Sequence, residues 1–364
     1  MYRTAGVDRV SEELDAGTLR RMADLVHPTW TVTAATPVER GFCRVYRLAV
    51  EGNGESRECF LKAAPAEAEA GVGADTRILA VLDRHTSIPV PEVLGVVDDH
   101  PEVPSPFYLM TPMPGDELPY ERVGWLPDEA LETLARDVGV HLGELHRIDA
   151  VDSFGYVDRD PTGTLDGGRP SGAVAELTVR DGIDSWPAYL GRYVERELER
   201  HADSRFGELT PRIEAWFDER IGRLDGPFTP VLGRNDHGLH NLLVDPDSGS
   251  VTAILDWAYT LAVPPSFDFA FAVYLFGGAF LSALPGVTDR RALVRDAMRT
   301  GYRATAPELA ETVATGRSAY EALAMVRVMN DFDRLASRLP DGTENDVADG
   351  LRADAETVLE NDGR

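Results

Sequence analysis

The chain has 364 residues, 43% of them hydrophobic, and carries 62 acidic against 36 basic side chains for a formal charge of -26. That length predicts two domains or lobes sharing a cleft, and the hydrophobic content excludes a disordered polymer. The acidic excess is repelled by nucleic acid and anionic membranes, no apolar run is long enough to span a bilayer, and the N-terminus lacks the basic-then-apolar order of a signal peptide, so a cytoplasmic protein with neither partner is expected.

Helical periodicity covers 12–26, and a β-rich run follows at 29–36. Strand-like runs at 44–50 and 57–64 flank Glu51-Gly52-Asn53-Gly54, whose Asn-Gly step predicts a tight hairpin. The two cysteines, Cys43 and Cys59, fall in this region and are expected to pack rather than to bridge or bind metal. Every basic residue of the chain is arginine except Lys62, in the apolar run Cys59-Phe60-Leu61-Lys62-Ala63-Ala64. An acidic, lysine-poor composition predicts adaptation to high salt, where screening removes self-repulsion, and a solitary lysine inside an apolar strand marks a functional position. A helix is expected over 72–84, ended by Ile88-Pro89-Val90-Pro91, then strands at 92–97 and 107–110. This order describes a small antiparallel sheet carrying one helix.

After Pro112-Met113-Pro114-Gly115 the texture changes to long helices, expected over 127–148, 186–200 and 209–224. A hinge belongs at the change, which divides the chain into an N-terminal lobe over 1–114 and a C-terminal lobe over 115–364. The Gly-, Pro- and Thr-rich stretch 158–175 is expected to be a mobile insertion or a substrate-side excursion. Short strands at 242–245 and 251–255 are joined by the turn Pro246-Asp247-Ser248-Gly249, and helices at 267–284, 289–305 and 308–339 complete the second lobe. The fold class is therefore α+β.

Chemistry concentrates in Asn235-Asp236-His237-Gly238-Leu239-His240-Asn241, followed by the Asp of Ile254-Leu255-Asp256-Trp257. Asp236 and Asn241 lie on a loop entering one strand, and Asp256 ends the paired strand. Phosphoryl transfer needs this set: a carboxylate to orient a hydroxyl and accept its proton, plus an amide oxygen and a carboxylate to hold Mg²⁺ across nucleotide phosphates. Ordinary turn chemistry explains each residue singly but not all of them in this order. His237 and His240 suggest another chemistry, a histidine-ligated metal hydrolase, although a His-x-x-His pair alone lacks the three-ligand set such sites favour.

The segment resembles the catalytic loop and metal-binding hairpin of the aminoglycoside phosphotransferase and choline kinase-like family, relatives of the protein kinases. The family pattern is His-Gly-Asp-x-x-x-x-Asn, then an apolar residue and Asp-Trp. The resemblance implies a bilobal protein-kinase-like fold, with Asp236 as catalytic base, Asn241 and Asp256 as magnesium ligands, and Trp257 on the family tryptophan. Arg234 and Asn235 stand where His-Gly is usual. Pro265-Ser266-Phe267-Asp268-Phe269-Ala270 matches Asp-Pro-x-x-Asp-Leu-Ala with Pro264 in place of the first Asp, and Asp268 takes the place of the residue that braces the catalytic loop. His146, in Leu145-His146, resembles the histidine closing the corresponding family helix and is expected to be structural.

In the N-terminal lobe the resemblance makes Lys62 the lysine that bridges the α and β phosphates. Asp75 falls on its acidic partner, with Glu67 and Glu69 as alternatives. Gly41, in Glu39-Arg40-Gly41-Phe42-Cys43-Arg44, would open the phosphate loop, whose amides near 42–44 form an anion nest. The Thr111 carbonyl and the Met113 amide are the adenine-reading pair, since Pro112 has no N–H to donate. The implied activity is ATP-dependent (or other nucleoside triphosphate), Mg²⁺-assisted phosphorylation of a small-molecule hydroxyl in the aminoglycoside, choline, homoserine or sugar-amine class. A nucleotide-binding regulator without turnover is the alternative. Acceptor identity, ATP against GTP and oligomeric state stay open.

Overall fold

The computed structural model describes residues 13–38, 43–65 and 71–360. The first helix, α1 (Ala16–Val26), starts where the Asp15 carboxylate accepts hydrogen bonds from the amides of Gly17 and Thr18, which satisfies two donors the helix itself cannot. Strands β1 (Thr31–Val38), β2 (Arg44–Gly52) and β3 (Glu55–Ala63) follow, then α2 (Val72–His85), β4 (Val93–Val97) and β5 (Phe107–Met110). They build a five-stranded antiparallel sheet in the order β1-β2-β3-β5-β4. Asn53 and Gly54 make the expected hairpin turn with φ of 54° and 82°, the left-handed pair that matches strand twist.

One face of this sheet closes on α1 through Leu19, Met22, Leu48, Val50, Leu61 and Leu109. The other face, with α2, belongs to the large core that continues through the helical part, joining Val72, Ile78, Leu82, Val96 and Tyr108 to Leu142, Trp257 and Phe267. The chain is thus an antiparallel sheet region over a mainly helical body, the α+β class expected, and the two parts share a core.

A short strand, β6 (Asp116–Glu117), precedes α3 (Asp128–His146), β7 (Phe154–Arg159), β8 (Leu177–Ile183), α4 (Trp186–Ala202) and α5 (Thr210–Ile221). Next come β9 (Val231–Gly233), β10 (Leu242–Val244), β11 (Val251–Ile254), β12 (Leu261–Val263), α6 (Pro265–Gly277), α7 (Arg291–Thr305), α8 (Arg317–Asn330), α9 (Phe332–Ala336) and α10 (Glu344–Glu360). Strands β8-β7-β12-β9 form a second sheet that the sequence reading does not foresee.

The stretch read as a mobile insertion is the β7–β8 connection, and it is tied to the first sheet. The Gly168 carbonyl accepts from the Val96 amide at 2.8 Å, Arg169 Nε donates to the Leu94 carbonyl at 2.9 Å, and Arg84 donates to the Ser171 carbonyl at 2.9 Å. Its glycines Gly167, Gly168 and Gly172 have positive φ and mark turns. The helix expected over 308–339 is broken: Gly316 at φ 69° starts α8, and α9 is separate. No helix among the described residues is long and apolar enough to cross a membrane.

Candidate active site

Strands β10 and β11 pair antiparallel with Leu242 opposite Ile254, and the Leu255 amide donates to the Asn241 carbonyl at 2.8 Å. This closure sets Asn241 and Asp256 at the same end of one hairpin, with Asp236 on the loop that enters it. Asp256 has φ 59°, a left-handed conformation that costs an L-residue roughly 1–2 kcal/mol and that Asp tolerates better than most. Its surroundings fix it there. The following Trp257 amide donates to Asp75 Oδ1 at 3.2 Å, the Trp257 indole N–H donates to the Ile254 carbonyl at 3.0 Å, and Asp256 Oδ1 accepts from Lys62 Nζ at 2.9 Å.

Helix α2 reaches this hairpin because Gly71, at φ 68°, precedes it. A Cβ there would lie 1.9 Å from the Ala258 carbonyl oxygen, so only glycine permits the approach. The result is a buried cluster from three distant segments. Lys62, 6% exposed on β3, donates to Asp75 Oδ2 on α2 at 2.6 Å as well as to Asp256. Tyr108 on β5 donates its hydroxyl to the same Asp75 oxygen at 2.7 Å. Burial works against the Lys62 ammonium, but Asp256 and Asp75 outweigh it and push its pKa up. Burial and the Asp75 charge raise the Tyr108 phenol well above its ordinary value, so it remains a donor. The Lys62 charge holds Asp256 below the usual carboxylate range, and its side chain stays 47% exposed on the open side.

Asp236 is also half open, 46% exposed. Its Oδ1 accepts from the Gly238 amide at 3.0 Å, and His240 Nε2 lies 3.5 Å from Oδ2. Desolvation acts to raise this carboxyl, but the His240 ring and the Gly238 amide prevail and hold it far below its ordinary pKa. Asp236 is therefore an ionised group aimed at open space, suited to orienting a hydroxyl and receiving its proton as a new bond forms.

The substitutions at the loop entrance have structural substitutes. Arg234 is buried, lies over the Trp257 ring at 5.1 Å and donates to the Leu255 carbonyl at 3.0 Å. Asn235 Oδ1 accepts from the Tyr193 hydroxyl at 3.0 Å and from Arg327 Nη1 at 2.8 Å. Beneath the loop, Asp268 takes the Arg234 amide at 3.0 Å, His146 Nε2 at 3.1 Å and His237 Nε2 at 2.6 Å, while His146 Nδ1 meets the Tyr302 hydroxyl at 2.9 Å. His237 is thereby turned inward while His240 faces Asp236, so the two do not converge as ligands. Among the described residues no three His, Cys, Asp or Glu side chains gather to hold a metal.

Burial acts to raise the Asp268 carboxyl, but His237 and His146 prevail and hold it below its ordinary range. A depressed carboxylate contributes stability above its unfolded pKa of about 3.9, and that contribution is lost as pH falls through the lower folded value. Asp268→Ala is expected to lower stability by roughly 2–5 kcal/mol at neutral pH, because three buried donors lose their acceptor. Denaturant midpoints should show the gap between variant and wild type narrowing only in strong acid; an unchanged midpoint at neutral pH removes the bracing role.

Asn241 is buried, and its Nδ2 has no hydrogen-bond partner, a state that costs free energy in a fold and marks an amide held for a further partner. An amide oxygen and a carboxylate are the hard donors Mg²⁺ prefers, so Asn241 and Asp256 fit that ion. At the edge of the first sheet, the Thr111 amide donates to the Glu92 carbonyl at 3.0 Å and its hydroxyl accepts from the Glu92 amide at 3.0 Å. The Thr111 carbonyl and Met113 amide have no partner among the described residues. Gly41, Glu67 and Glu69 lie outside the described residues.

Sequence reading missed the arginines beyond the loop that carries Asp236. Arg327, Arg334 and Arg338 line a cleft bordered by Asp236. Arg327 lies on α8, Asp331 between α8 and α9, Arg334 on α9 and Arg338 just beyond it, so their gathering at one cleft is a product of tertiary structure with no local sequence signal.

A family model described as the phosphotransferase enzyme family matches residues 35–323. No curated protein matches the chain. Solved structures similar in fold include a Ralstonia eutropha protein provisionally named an aminoglycoside phosphotransferase, at TM-score 0.60 and 14% identity over 96% of this chain and 97% of that one. Aminoglycoside 2'-phosphotransferase-IIIa in its GDP complex gives TM-score 0.54 and 15% identity, covering 96% and 100%. Plasmodium vivax ethanolamine kinase gives TM-score 0.52 and 12% identity, covering 92% and 85%.

Proposed function

Because this chain belongs to the phosphotransferase enzyme family and is a small-molecule kinase, we propose that it moves the γ-phosphoryl group of ATP to a hydroxyl of a small molecule. The observation that carries this reading is the Lys62–Asp75–Asp256 cluster, 2.6 and 2.9 Å across its two ion pairs, beside the ionised and half-open Asp236. Lys62 neutralises the α and β phosphates while Asp75 keeps it oriented. Thr111 and Met113 read the adenine edge with backbone groups. The hinge between the lobes falls at 114–115.

Asp236 orients the acceptor hydroxyl and takes its proton as the acceptor oxygen bonds to γ-phosphorus. The bond from γ-phosphorus to the bridging oxygen breaks, and ADP leaves with that electron pair. Asn241 and Asp256 would hold Mg²⁺, which supplies charge neutralisation on the phosphates when bound. A donor made inside cells agrees with the cytoplasmic placement read from the sequence.

Asp256→Ala is expected to abolish Mg²⁺-dependent nucleotide affinity, because a metal ligand acts on bound phosphates before the chemical step. Titration calorimetry with ATP, with and without Mg²⁺, checks this; wild-type affinity for Mg·ATP in the variant removes the metal role.

A further inference from the structure

Asp236 borders two clefts, one shared with Asp256 and another between the catalytic loop, α6 and the α8–α9 segment. The second is where an acceptor presenting its hydroxyl to Asp236 must lie. One side is apolar, with Phe271 and Leu275 from α6, Val328 from α8 and Leu335 from α9. The other carries Arg327, Arg334, Arg338 and Asp331.

In this cleft three arginines stand against two carboxylates, Asp331 and the ionised Asp236. Asp331 pairs from outside with Arg200, whose Nη2 lies 2.7 Å from Oδ1 and whose Nη1 lies 3.0 Å from Glu197 Oε2. Arg327 donates to the carbonyl and side-chain oxygens of Asn235 at 2.8 Å each, and the carboxylates of Glu197, Asp236 and Asp331 act on its charge, which leaves Arg334 and Arg338 as the groups open to a ligand. Arg334 and Arg338 make no side-chain hydrogen bond or ion pair with any described residue. In a protein with 62 acidic and 36 basic residues, uncancelled guanidinium groups on one wall are what a negatively charged ligand needs to enter at all. The planar guanidinium fork also fits a carboxylate or phosphate with paired hydrogen bonds, whereas an ammonium brought among these groups meets like charge.

Resting on the phosphotransferase reading above, we propose that the acceptor is an anion. It carries a carboxylate or phosphate group that Arg334 and Arg338 hold, and an apolar stem along Phe271, Leu275 and Leu335 leads to the hydroxyl that Asp236 receives. Polycationic aminoglycosides and choline-like amines are disfavoured where Arg334 and Arg338 stand.

The test measures binding of matched probes to the full chain with Mg·ADP bound, at one fixed ionic strength: ω-hydroxyhexanoate, ω-hydroxyhexyl phosphate, hexanediol and aminohexanol, alike in stem and different in end group. At least one anion is expected to bind about tenfold or more tightly than the diol or the amine, the scale of a hydrogen bond to a charged group. Which anion does so separates carboxylate from phosphate recognition. Arg334→Glu and Arg338→Glu should each remove that preference and favour the amine, with Arg338→Gln removing it without reversing it; thermal midpoints verify folding. Equal binding of all probes, tighter binding of the amine, no anion binding, or a preference that survives both charge reversals overturns the proposal. The phosphotransferase reading fails on a different measurement, ATP turnover that does not depend on Asp236, so the two failures are distinguishable.

Discussion

Asp236→Asn is expected to lower phosphoryl transfer by roughly 10²–10⁴-fold while leaving Mg·ATP affinity near that of the wild type, the scale for loss of a positioned proton acceptor. The change is nearly isosteric, and the amide oxygen can still accept from the Gly238 amide that now holds Oδ1 at 3.0 Å, so the loop keeps its shape. What is lost is the charge that receives the acceptor proton. Asp236 makes no contact with Lys62 or Asp75, whose ion pair forms without it, which is why nucleotide affinity is spared. The depressed pKa fixes the pH dependence. Activity needs the carboxylate, which persists as pH falls until its own low pKa is reached; the acid limb therefore lies below the ordinary carboxylate range or is set by acid unfolding. ATP consumption and calorimetric nucleotide affinity, measured on the same preparation, check the split. Undiminished turnover would exclude Asp236 as the base.

Lys62→Arg is expected to be nearly as damaging as Lys62→Met, each lowering the rate by roughly 10²–10³-fold, as removal of one preorganised charge contact does elsewhere. A surface lysine gives the opposite result, with stability changed by no more than about 0.5 kcal/mol and rate untouched. The structure explains why charge conservation is not enough. The ammonium fits between Asp75 Oδ2 at 2.6 Å and Asp256 Oδ1 at 2.9 Å, with Tyr108 bonded to the same Asp75 oxygen. A planar guanidinium there overfills a packed site, at a cost of roughly 1–3 kcal/mol. Methionine fits better but leaves the buried Asp75 carboxylate without its cation, which costs roughly 3–5 kcal/mol. The raised Lys62 pKa means its contribution to stability is complete below the unfolded lysine value near 10.4 and is lost only as pH rises through the higher folded value, so neither variant's effect should vary across neutral pH. Thermal midpoints separate unfolding from loss of chemistry, and full activity in Lys62→Arg would sink the phosphate role.

Much of this was open to reading in the chain. The Asn53-Gly54 hairpin is a local rule, since the turn requires positive φ at two successive residues and these residues accept it. Asp236, Asn241 and Asp256 were visible because a loop and a two-strand hairpin keep them close in sequence as well as in space. Lys62 was visible because its composition context is unusual. The second sheet was not, because strands such as β9 and β12 have three residues each, too few for an alternating pattern to register. How the connection between β7 and β8 packs was not legible, because glycine and proline report where backbone turns and say nothing of what the turn packs against.

The sequence by itself determined the strands of the first sheet, most of the long helices and the motif that carries the family, all of which depend on neighbours a few residues apart. Only the tertiary structure decided which carboxylates meet Lys62, partners 13 and 194 positions away, because burial makes an ion pair matter and burial is a property of the packed chain. It alone decided which charges face the cleft proposed for the acceptor. Net charge sums over every side chain at once, whereas the field a ligand meets comes from the few that face it, and folding brought Arg327, Arg334 and Arg338 to one cleft with Asp236 and Asp331.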